Sequence, residues 1–294
     1  MSRLRRVARY VRHLPGLERA EWVWSSVRKP YLWALNASGE GVEIKVGDGA
    51  IVRIPAEYAG GSWERFEPES IAEFAGWVRS HPGGIVLDIG SSIGIYSAVA
   101  LFADLDVDVV AFDADLASLA ATRRLCRHAA GNRLRLIHGL LGEISTEPTS
   151  LASAVARTEA ALAQTGARGD VGTTRYVCLG DPDTDLIPHR RLDDVGAGIA
   201  DGRELLIKCD VEGAELQVLA GGQALLQRLH PHLLLSVHPC ALPDYGHGAK
   251  DVREFLRELN YDIRCLAVDH EEHWWCAPAT TDFAGARRGL APWP

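Results

Sequence analysis

Two charged side chains interrupt a segment that otherwise has the composition of a buried β-strand. Residues 204–210 read ELLIKCD, so Lys208 and Asp210 follow three aliphatic residues. Residues two apart on a strand project from the same face, and buried strands rarely tolerate charge. We therefore predict that Lys208 and Asp210 are catalytic. The alternative is a structural ion pair, with Glu212 and Glu215 favoured at the start of the following helix by its dipole.

A histidine ends the next predicted strand, residues 232–238 (HLLLSVH). Because histidine titrates near neutral pH, His238 can accept a proton from a substrate hydroxyl. A histidine that is merely hydrogen-bonded is the alternative. We predict that Asp210 or His238 accepts the proton, and that Lys208 orients Asp210 or the substrate.

The other metal-ligand residue types do not form a predicted metal site. His270 and His273 flank two glutamates, but their spacing in an extended segment points them to opposite faces. The cysteines lack a C-x-x-C pair, so we expect neither disulfides nor structural zinc. They are Cys126, Cys178, Cys209, Cys240, Cys265 and Cys276.

A glycine-containing turn is the most informative motif, within residues 86–97 (VLDIGSSIGIYS). An apolar strand runs into Gly90 and Gly94 and then into a helix, which lets the backbone approach a nucleotide-like ligand closely. Asp113 ends the following strand, where a carboxylate can accept hydrogen bonds from ribose hydroxyls. The alternative is a tight turn with only a capping role.

The composition of this turn favours S-adenosylmethionine over a nicotinamide dinucleotide. A dinucleotide fingerprint reads G-x-G-x-x-G, whereas this turn reads GSSIG with Asp88 still on the strand. A carboxylate beside the turn suits the cationic amino-acid end of S-adenosylmethionine better than it suits phosphates. The predicted cofactor-binding residues are Asp88, Gly90, Ser91, Ser92, Gly94, Tyr96, Asp113 and Leu140.

Short apolar strands alternate with longer helical patterns from residue 85 onward, which is typical of an α/β fold. Continuous apolar strands indicate a mostly parallel, Rossmann-like sheet with helices on both faces. The predicted strands are 85–89, 108–113, 134–138, 204–210, 232–238, 261–268 and 272–277. The predicted helices begin near 68 and 93 and span 115–130, 213–229 and 249–260.

Two segments lie outside this alternation. We predict that residues 1–62 form a small cap, made of an amphipathic basic helix and a β-hairpin that turns at residues 47–49. The helix either packs on its own protein or makes weak contact with an anionic membrane surface or an acidic partner. Residues 145–190 are long for a plain connection, so we predict a lid or substrate loop within a domain of residues 63–294.

Composition excludes several classes of protein. Hydrophobic residues make up 47% and charged residues 24% of the chain, as in ordinary globular domains, so wholesale disorder and a fibrous class are not expected. The net charge of -8 argues against nucleic-acid binding, although residues 1–30 hold eight Lys or Arg. No apolar run approaches the roughly 20 residues of a membrane span, and the N-terminus lacks the apolar core of a secretory signal. We therefore expect a cytoplasmic protein.

Four linked motifs resemble the FkbM family of S-adenosylmethionine-dependent methyltransferases. They begin at Asp88 (DIGSSIGIYS), Ala111 (AFD), Arg191 (RLDD) and Ile207 (IKCDVEGAE), and the similarity covers roughly residues 63–280. The resemblance implies a seven-stranded class I methyltransferase fold with a reversed final strand, and commonly O-methylation of sugars or secondary metabolites. The family usually has Gly-Ala-Asn and Phe-Glu-Pro where this chain has GSS and FDA.

These observations together predict an enzyme that methylates a hydroxyl of a small molecule or glycan. The substrate oxygen attacks the sulfonium methyl in line, so the enzyme mainly has to align donor and acceptor. The segment 145–190 covers the site and excludes water. On the sequence alone, an NAD-dependent oxidoreductase and a non-catalytic module that binds S-adenosylmethionine stay open.

Overall fold

The computed structural model describes residues 41–48, 50–146, 149–166, 177, 184–199 and 202–279. The predicted basic helix near the N-terminus lies outside these ranges, as does much of the predicted lid. Within the described ranges, every helix is too short or too polar to cross a membrane.

The seven strands predicted from residue 85 onward are confirmed to within one residue at each end. In chain order the strands are β1 (Val42–Val46), β2 (Ala50–Ile54), β3 (Ile85–Ile89), β4 (Asp108–Asp113), β5 (Leu134–His138), β6 (Leu140–Leu141), β7 (His189–Arg190), β8 (Leu205–Asp210), β9 (His232–Val237), β10 (Tyr261–Val268) and β11 (Glu272–Pro278). The short strands β6 and β7, which were not predicted, pair only with each other, in parallel.

The central sheet has seven strands in the order β10-β11-β9-β8-β3-β4-β5. Strands β5, β4, β3, β8 and β9 pair in parallel with their neighbours. The last strand, β11, lies between β9 and β10 and is antiparallel to both. The predicted Rossmann-like sheet and its reversed final strand are confirmed.

Helices connect these strands and cover both faces. They are α1 (Pro68–Ser80), α2 (Ile95–Ala103), α3 (Leu116–Cys126), α4 (Leu151–Thr165), α5 (Leu192–Gly196), α6 (Glu215–Gly221), α7 (Gln223–Leu229) and α8 (Ala249–Glu258). Local sequence signals fix where two of these helices begin. Helix α1 has proline in its first turn, and Asp115 accepts hydrogen bonds from two backbone N–H groups at the start of α3.

The prediction of one continuous helix over residues 213–229 is wrong. Helix α6 ends at Gly221 and α7 begins at Gln223, because Gly222 between them has a non-helical backbone with φ -112° and ψ 12°. A Cβ at Gly222 would lie 2.8 Å from the Leu192 side chain. Close packing against α5 therefore requires glycine at this break.

Alternate residues along each central strand enter two different cores. Leu87, Ile207 and Leu235 pack in one core with α5–α8, whereas Val86 and Leu206 pack in the other with α1–α3. This is the period of two expected for a sheet covered on both faces. Lys208 and Asp210 lie two and four residues after Leu206 and therefore on the same face of β8. Their side chains project towards α1 and α2.

The predicted hairpin is confirmed. β1 and β2 pair antiparallel, from Val46 opposite Ala50 beside the turn to Val42 opposite Ile54 at the open end. Val52 and Ile54 are buried in the same core as Ile71 of α1, so the hairpin packs directly on the helices of the main sheet. The division of the chain into a cap and a catalytic domain stays a prediction.

Candidate active site

A cavity of about 570 Å³ opens where the carboxyl ends of the central strands meet. Gly90, Ser92, Asp113 and Asp210 line it from the ends of β3, β4 and β8. Ligands of open α/β sheets bind beyond these ends, at the point where the strand order reverses. Here the order reverses at β3, because β4 and β5 follow on one side of it and β8 and β9 on the other. The volume is ordinary for a small-molecule site, since such sites span about 300–1,000 Å³.

The turn after β3 requires glycine at two positions. Gly90 has φ +73°, and a Cβ there would lie 1.7 Å from the backbone oxygen of Asp210. Gly94 has φ +84°, and its Cβ would lie 2.6 Å from the Thr122 side chain. Both the left-handed backbone and the close approach exclude larger residues. The turn and the end of β8 are therefore in backbone contact.

Asp113 lies at the end of β4, facing this turn. Its Oδ2 accepts a hydrogen bond from the Ser92 backbone N–H at 2.8 Å, and its Oδ1 accepts one from the Asp115 N–H at 2.8 Å. Burial raises the pKa of Asp113 to about 7, although these two hydrogen bonds oppose the change. The acid predicted to bind ribose is thus fixed beside the glycine turn and lines the cavity.

The eight predicted cofactor-binding residues divide into two groups. Gly90, Ser92, Asp113 and Leu140 are among the described residues that line the cavity; Asp88, Ser91, Gly94 and Tyr96 are not. Asp88 lies beneath the turn, where its Oδ2 accepts hydrogen bonds from the Ser97 N–H and hydroxyl at 3.0 and 2.6 Å. Its place in the structure is that of a support for the start of α2.

Lys208 is a buried cation surrounded by acids. Its Nζ donates to Asp210 Oδ2 at 2.7 Å and lies 5.0 Å from the centre of the Tyr96 ring. Burial alone would lower the pKa of Lys208, but the carboxylates of Asp210, Asp88 and Glu67 outweigh it and raise that pKa. Lys208 therefore stays charged and holds one oxygen of Asp210.

Tyr96 contacts an acid that the sequence analysis did not select. Its hydroxyl donates to Glu67 Oε2 at 2.5 Å. Burial raises the pKa of Glu67, partly opposed by Lys208 and by this hydrogen bond. Glu67 lines the cavity, whereas Tyr96 does not, so Tyr96 acts on the cavity through Glu67.

His238 lies between carboxylates that approach both of its ring nitrogens. Nδ1 is 2.7 Å from Glu215 Oε1, and Nε2 is 2.7 Å from Glu271 Oε2. Glu212 and Asp210 oxygens lie 3.3 and 3.6 Å from Nε2. The ring is thus bracketed by acids from the loop after β8, the start of α6 and the β10–β11 turn.

These contacts do not favour His238 as the base. Burial alone would lower its pKa, but the hydrogen bonds to Glu215 and Glu271 and the charge of Asp210 raise that pKa to about 10. A ring that stays protonated at neutral pH has no free lone pair with which to accept another proton. In this protonated form both ring nitrogens donate, Nδ1 to Glu215 and Nε2 to Glu271.

The cavity also contains acids that were not selected from the sequence, among them Glu67 and Glu271. Glu67 precedes α1 with a left-handed backbone, φ 38°, and Glu271 lies in the turn between β10 and β11. Neither belongs to a local motif. Of the two flanking histidines, His273 is 1% exposed and His270 is exposed, in agreement with the predicted opposite faces.

The sequence model of the methyltransferase FkbM domain matches residues 88–263. The chain belongs to the FkbM methyltransferase family. Family membership implies S-adenosylmethionine as the methyl donor. The described fold agrees with it: the matched residues run from the first strand of the parallel sheet to β10.

Ser92 and Asp113 are two of the positions at which this FkbM-family chain differs from the pattern usual in the family. Ser92 occupies a left-handed conformation, φ 49°, where the family's usual asparagine is better tolerated. Asp113, one methylene shorter than the usual glutamate, still reaches the Ser92 N–H and the cavity. Both positions therefore keep their polar contacts.

Curated relatives match this FkbM-family chain over short segments. The ribosomal RNA small subunit methyltransferase H of Methylobacterium sp. (strain 4-46) is 36% identical over 108 residues, which is 36% of this chain and 29% of that protein. The methyltransferase H of Frankia alni is 35% identical over 86 residues, 29% of this chain and 26% of that protein. The chain thus spans less than a third of the length of either relative.

Solved methyltransferases resemble the chain at low identity. An FkbM methyltransferase from Methylobacillus flagellatus KT shares 17% identity with a TM-score of 0.43, covering 71% of this chain and 52% of that one. The precorrin-6y C5,15-methyltransferase of Geobacter metallireducens GS-15 shares 12% identity with a TM-score of 0.40, covering 71% and 87%.

Proposed function

We propose that this FkbM-family methyltransferase transfers a methyl group from S-adenosylmethionine to a hydroxyl of a small molecule or glycan. One observation carries the proposal: a carboxylate that can take the hydroxyl proton, Asp210, lines the same cavity as the glycine turn and Asp113. Donor and acceptor would therefore meet across the backbone contact between Gly90 and the end of β8.

The residues at the turn fit the methyl donor. At Gly90 the place of a side chain is taken by the Asp210 backbone oxygen, so the backbone of the turn itself lines the cavity beside the end of β8. Each oxygen of Asp113 accepts one backbone N–H and keeps a lone pair for a ribose hydroxyl. When bound, S-adenosylmethionine supplies a methyl group on a sulfonium, an activated leaving group, so the protein's task is mainly alignment.

Asp210 is the proposed proton acceptor. Lys208 holds Oδ2 at 2.7 Å, and Oδ1, which lies 3.6 Å from His238 Nε2, is the oxygen that would face the acceptor hydroxyl. The hydroxyl proton passes to Oδ1 as the oxygen gains the methyl group, so no charge is left on the product. Lys208 and His238 are positioning residues in this scheme, because their cationic groups fix the surrounding carboxylates.

The charge of the cavity supports a small hydroxylated acceptor over RNA. Its described lining contains six carboxylates and no Lys or Arg; the carboxylates are Glu67, Asp113, Glu143, Asp210, Glu212 and Glu271. Phosphate backbones need cationic surfaces, so such a wall repels RNA. Sugars and polyols, by contrast, donate hydrogen bonds to carboxylates.

We also propose that the segment 145–190 covers the acceptor. Val177 and His189, both from this segment, line the cavity. A cover at this position would exclude water from the reacting oxygen.

The acceptor class can be tested with S-adenosylmethionine that carries a deuterated methyl group. The full chain is incubated with hydroxylated small molecules and glycans, or with ribosomal RNA, and products are analysed by mass spectrometry. We expect label on an oxygen of a hydroxylated compound, lost in Asp210→Asn. Label on RNA alone would contradict the proposed acceptor class.

A further inference from the structure

A buried histidine beside the proposed acceptor site has no hydrogen-bond partner. His273, at the start of β11, is 1% exposed, and neither Nδ1 nor Nε2 makes a hydrogen bond to any described residue. A buried polar group without a partner destabilises the folded protein, so native structures rarely leave one unexplained. Here both nitrogens of one ring lack a partner.

Carboxylates surround this ring at a separation too long for hydrogen bonds. Glu271 Oε1 and Asp269 Oδ2 lie 3.5 and 3.6 Å from Nε2, and Glu67 Oε2 lies 3.7 Å from Nδ1. Ligand atoms bonded at about 2.1 Å to a tetrahedral Zn²⁺ are separated by about 3.4 Å. Glu67 and Glu271 approach different nitrogens of the ring, so an ion on one nitrogen requires the other carboxylate to rotate towards it. One ligand atom each from Glu67, Glu271 and His273 lies within 4.8 Å of the others.

The two glutamates are themselves held by hydrogen bonds from a second layer of residues. Tyr96 donates to Glu67 Oε2 at 2.5 Å, and His238 Nε2 lies 2.7 Å from Glu271 Oε2. Carboxylates that bind metals are commonly oriented in this way by outer residues. The mechanism proposed above gives neither Glu67 nor Glu271 a task.

We propose that Glu67, Glu271 and His273 bind a divalent cation of the Zn²⁺ type through one imidazole nitrogen and two carboxylates. Three protein ligands leave a fourth tetrahedral position open, as in catalytic zinc sites. Glu67 and Glu271 both line the cavity, so that position faces the acceptor. This role rests on the proposed function: the ion would bind an acceptor oxygen and so select compounds with a second polar group near the methylated hydroxyl.

The sequence analysis missed this arrangement because it compared only His270 with His273. Those two side chains do point apart, but Glu67 comes from a segment about 200 residues earlier in the chain. Only the fold, which packs the start of α1 near the start of β11, brings the three side chains together.

The test is calorimetric titration of Zn²⁺ into the full chain after removal of metals with EDTA. We expect one saturable site in the wild type, a loss of affinity of at least tenfold in His273→Gln, and about a tenfold loss in Tyr96→Phe, which removes only the hydroxyl that orients Glu67. The matched controls are Glu64→Gln, an exposed acid three residues before Glu67, and His270→Gln. Both should bind Zn²⁺ as the wild type does.

Three results would overturn the inference: no saturable binding in the wild type, unchanged affinity in a folded His273→Gln protein, or an equal loss in His270→Gln. The last would place the ion on Asp269, His270 and Glu271, of which the first two are exposed. Circular dichroism verifies folding, and Tyr96→Phe provides the answer if His273→Gln does not fold. Titration of S-adenosylhomocysteine into the EDTA-treated protein separates the two proposals, because donor binding without Zn²⁺ binding leaves the proposed function intact.

Discussion

The proposed donor side and the proposed acceptor side of the cavity are built in different ways. The donor side, formed by Gly90, Ser92 and Asp113, uses backbone conformation and one carboxylate held by backbone N–H groups. The acceptor side, formed by Glu67, Asp210 and Glu271, uses ionised side chains fixed by Lys208, His238 and Tyr96. The donor side depends on local sequence, whereas the acceptor side depends on segments that only the fold brings together. Substitutions on the two sides should therefore have separable effects.

The largest expected effect is on the acceptor side. Asp210→Asn keeps the shape of the side chain but removes the proton acceptor, so kcat should fall by about 100- to 10,000-fold. The dissociation constant for S-adenosylhomocysteine should change by less than about threefold, because the close approach of Asp210 to the turn at Gly90 is made by its backbone oxygen, which the substitution keeps. Asp106→Asn, at an exposed acid before β4, is the control. A kcat within threefold of wild type would remove Asp210 from the mechanism.

A substitution on the donor side should act on stability first. In Gly90→Ala the new Cβ meets the Asp210 backbone oxygen at 1.7 Å, so the free energy of unfolding should fall by more than about 3 kcal/mol. Gly83→Ala is the matched control, because Gly83 has nearly the same φ, +71°, with no atom within 4 Å of the added Cβ. Gly83→Ala should lower the free energy of unfolding by only about 1–2 kcal/mol, because it adds the strain of a left-handed alanine but no collision. Urea denaturation measures both, and equal losses would show that the contact with β8 is unimportant.

The pH dependence of donor binding should report on Asp113. Its pKa is raised to about 7, and only the ionised form offers all its lone pairs to ribose hydroxyls. Affinity for S-adenosylhomocysteine should therefore rise as the pH increases through about 7 and fall below it. Asp113→Asn should bind about tenfold more weakly at pH 8, with a flatter pH profile. A wild-type profile that is flat between pH 6 and 8 would contradict the role of this acid.

The smallest expected effect is at Ser92. Its left-handed backbone, φ 49°, is better tolerated by asparagine, so Ser92→Asn should raise the free energy of unfolding by about 0.5 kcal/mol. Ser62→Asn, at an exposed serine with φ -84°, should change it much less. Denaturation curves distinguish them, and a destabilised Ser92→Asn protein would mean that the serine side chain itself is required.

Much of the fold could be predicted because its signals are local. Apolar runs such as Leu205–Asp210 and the helix starts at Pro68 and Asp115 are visible in a few consecutive residues. The order of the seven strands is not a local property, and the family resemblance supplied the reversed β11. The break at Gly222 was missed because it depends on packing against Leu192 in another helix.

The parts of the site that depend on a few consecutive residues could be predicted, and the parts that depend on contacts between distant segments could not. The turn at Gly90 and the acid at Asp113 could be selected because a strand–turn–helix pattern positions them. The task of Tyr96 could not, since its partner Glu67 lies in a different element. The protonation of His238 was likewise hidden, because the acids that raise its pKa come from residues 215 and 271 as well as from the neighbouring strand.

The division into donor and acceptor sides is tested most directly by calorimetric titration of S-adenosylhomocysteine into three proteins: wild type, Asp113→Ala and Asp210→Asn. We predict one binding site per chain in the wild type, affinity about 10- to 100-fold lower in Asp113→Ala, and nearly wild-type affinity in Asp210→Asn. No binding heat in the wild type, or a loss in Asp210→Asn as large as that in Asp113→Ala, would contradict the account.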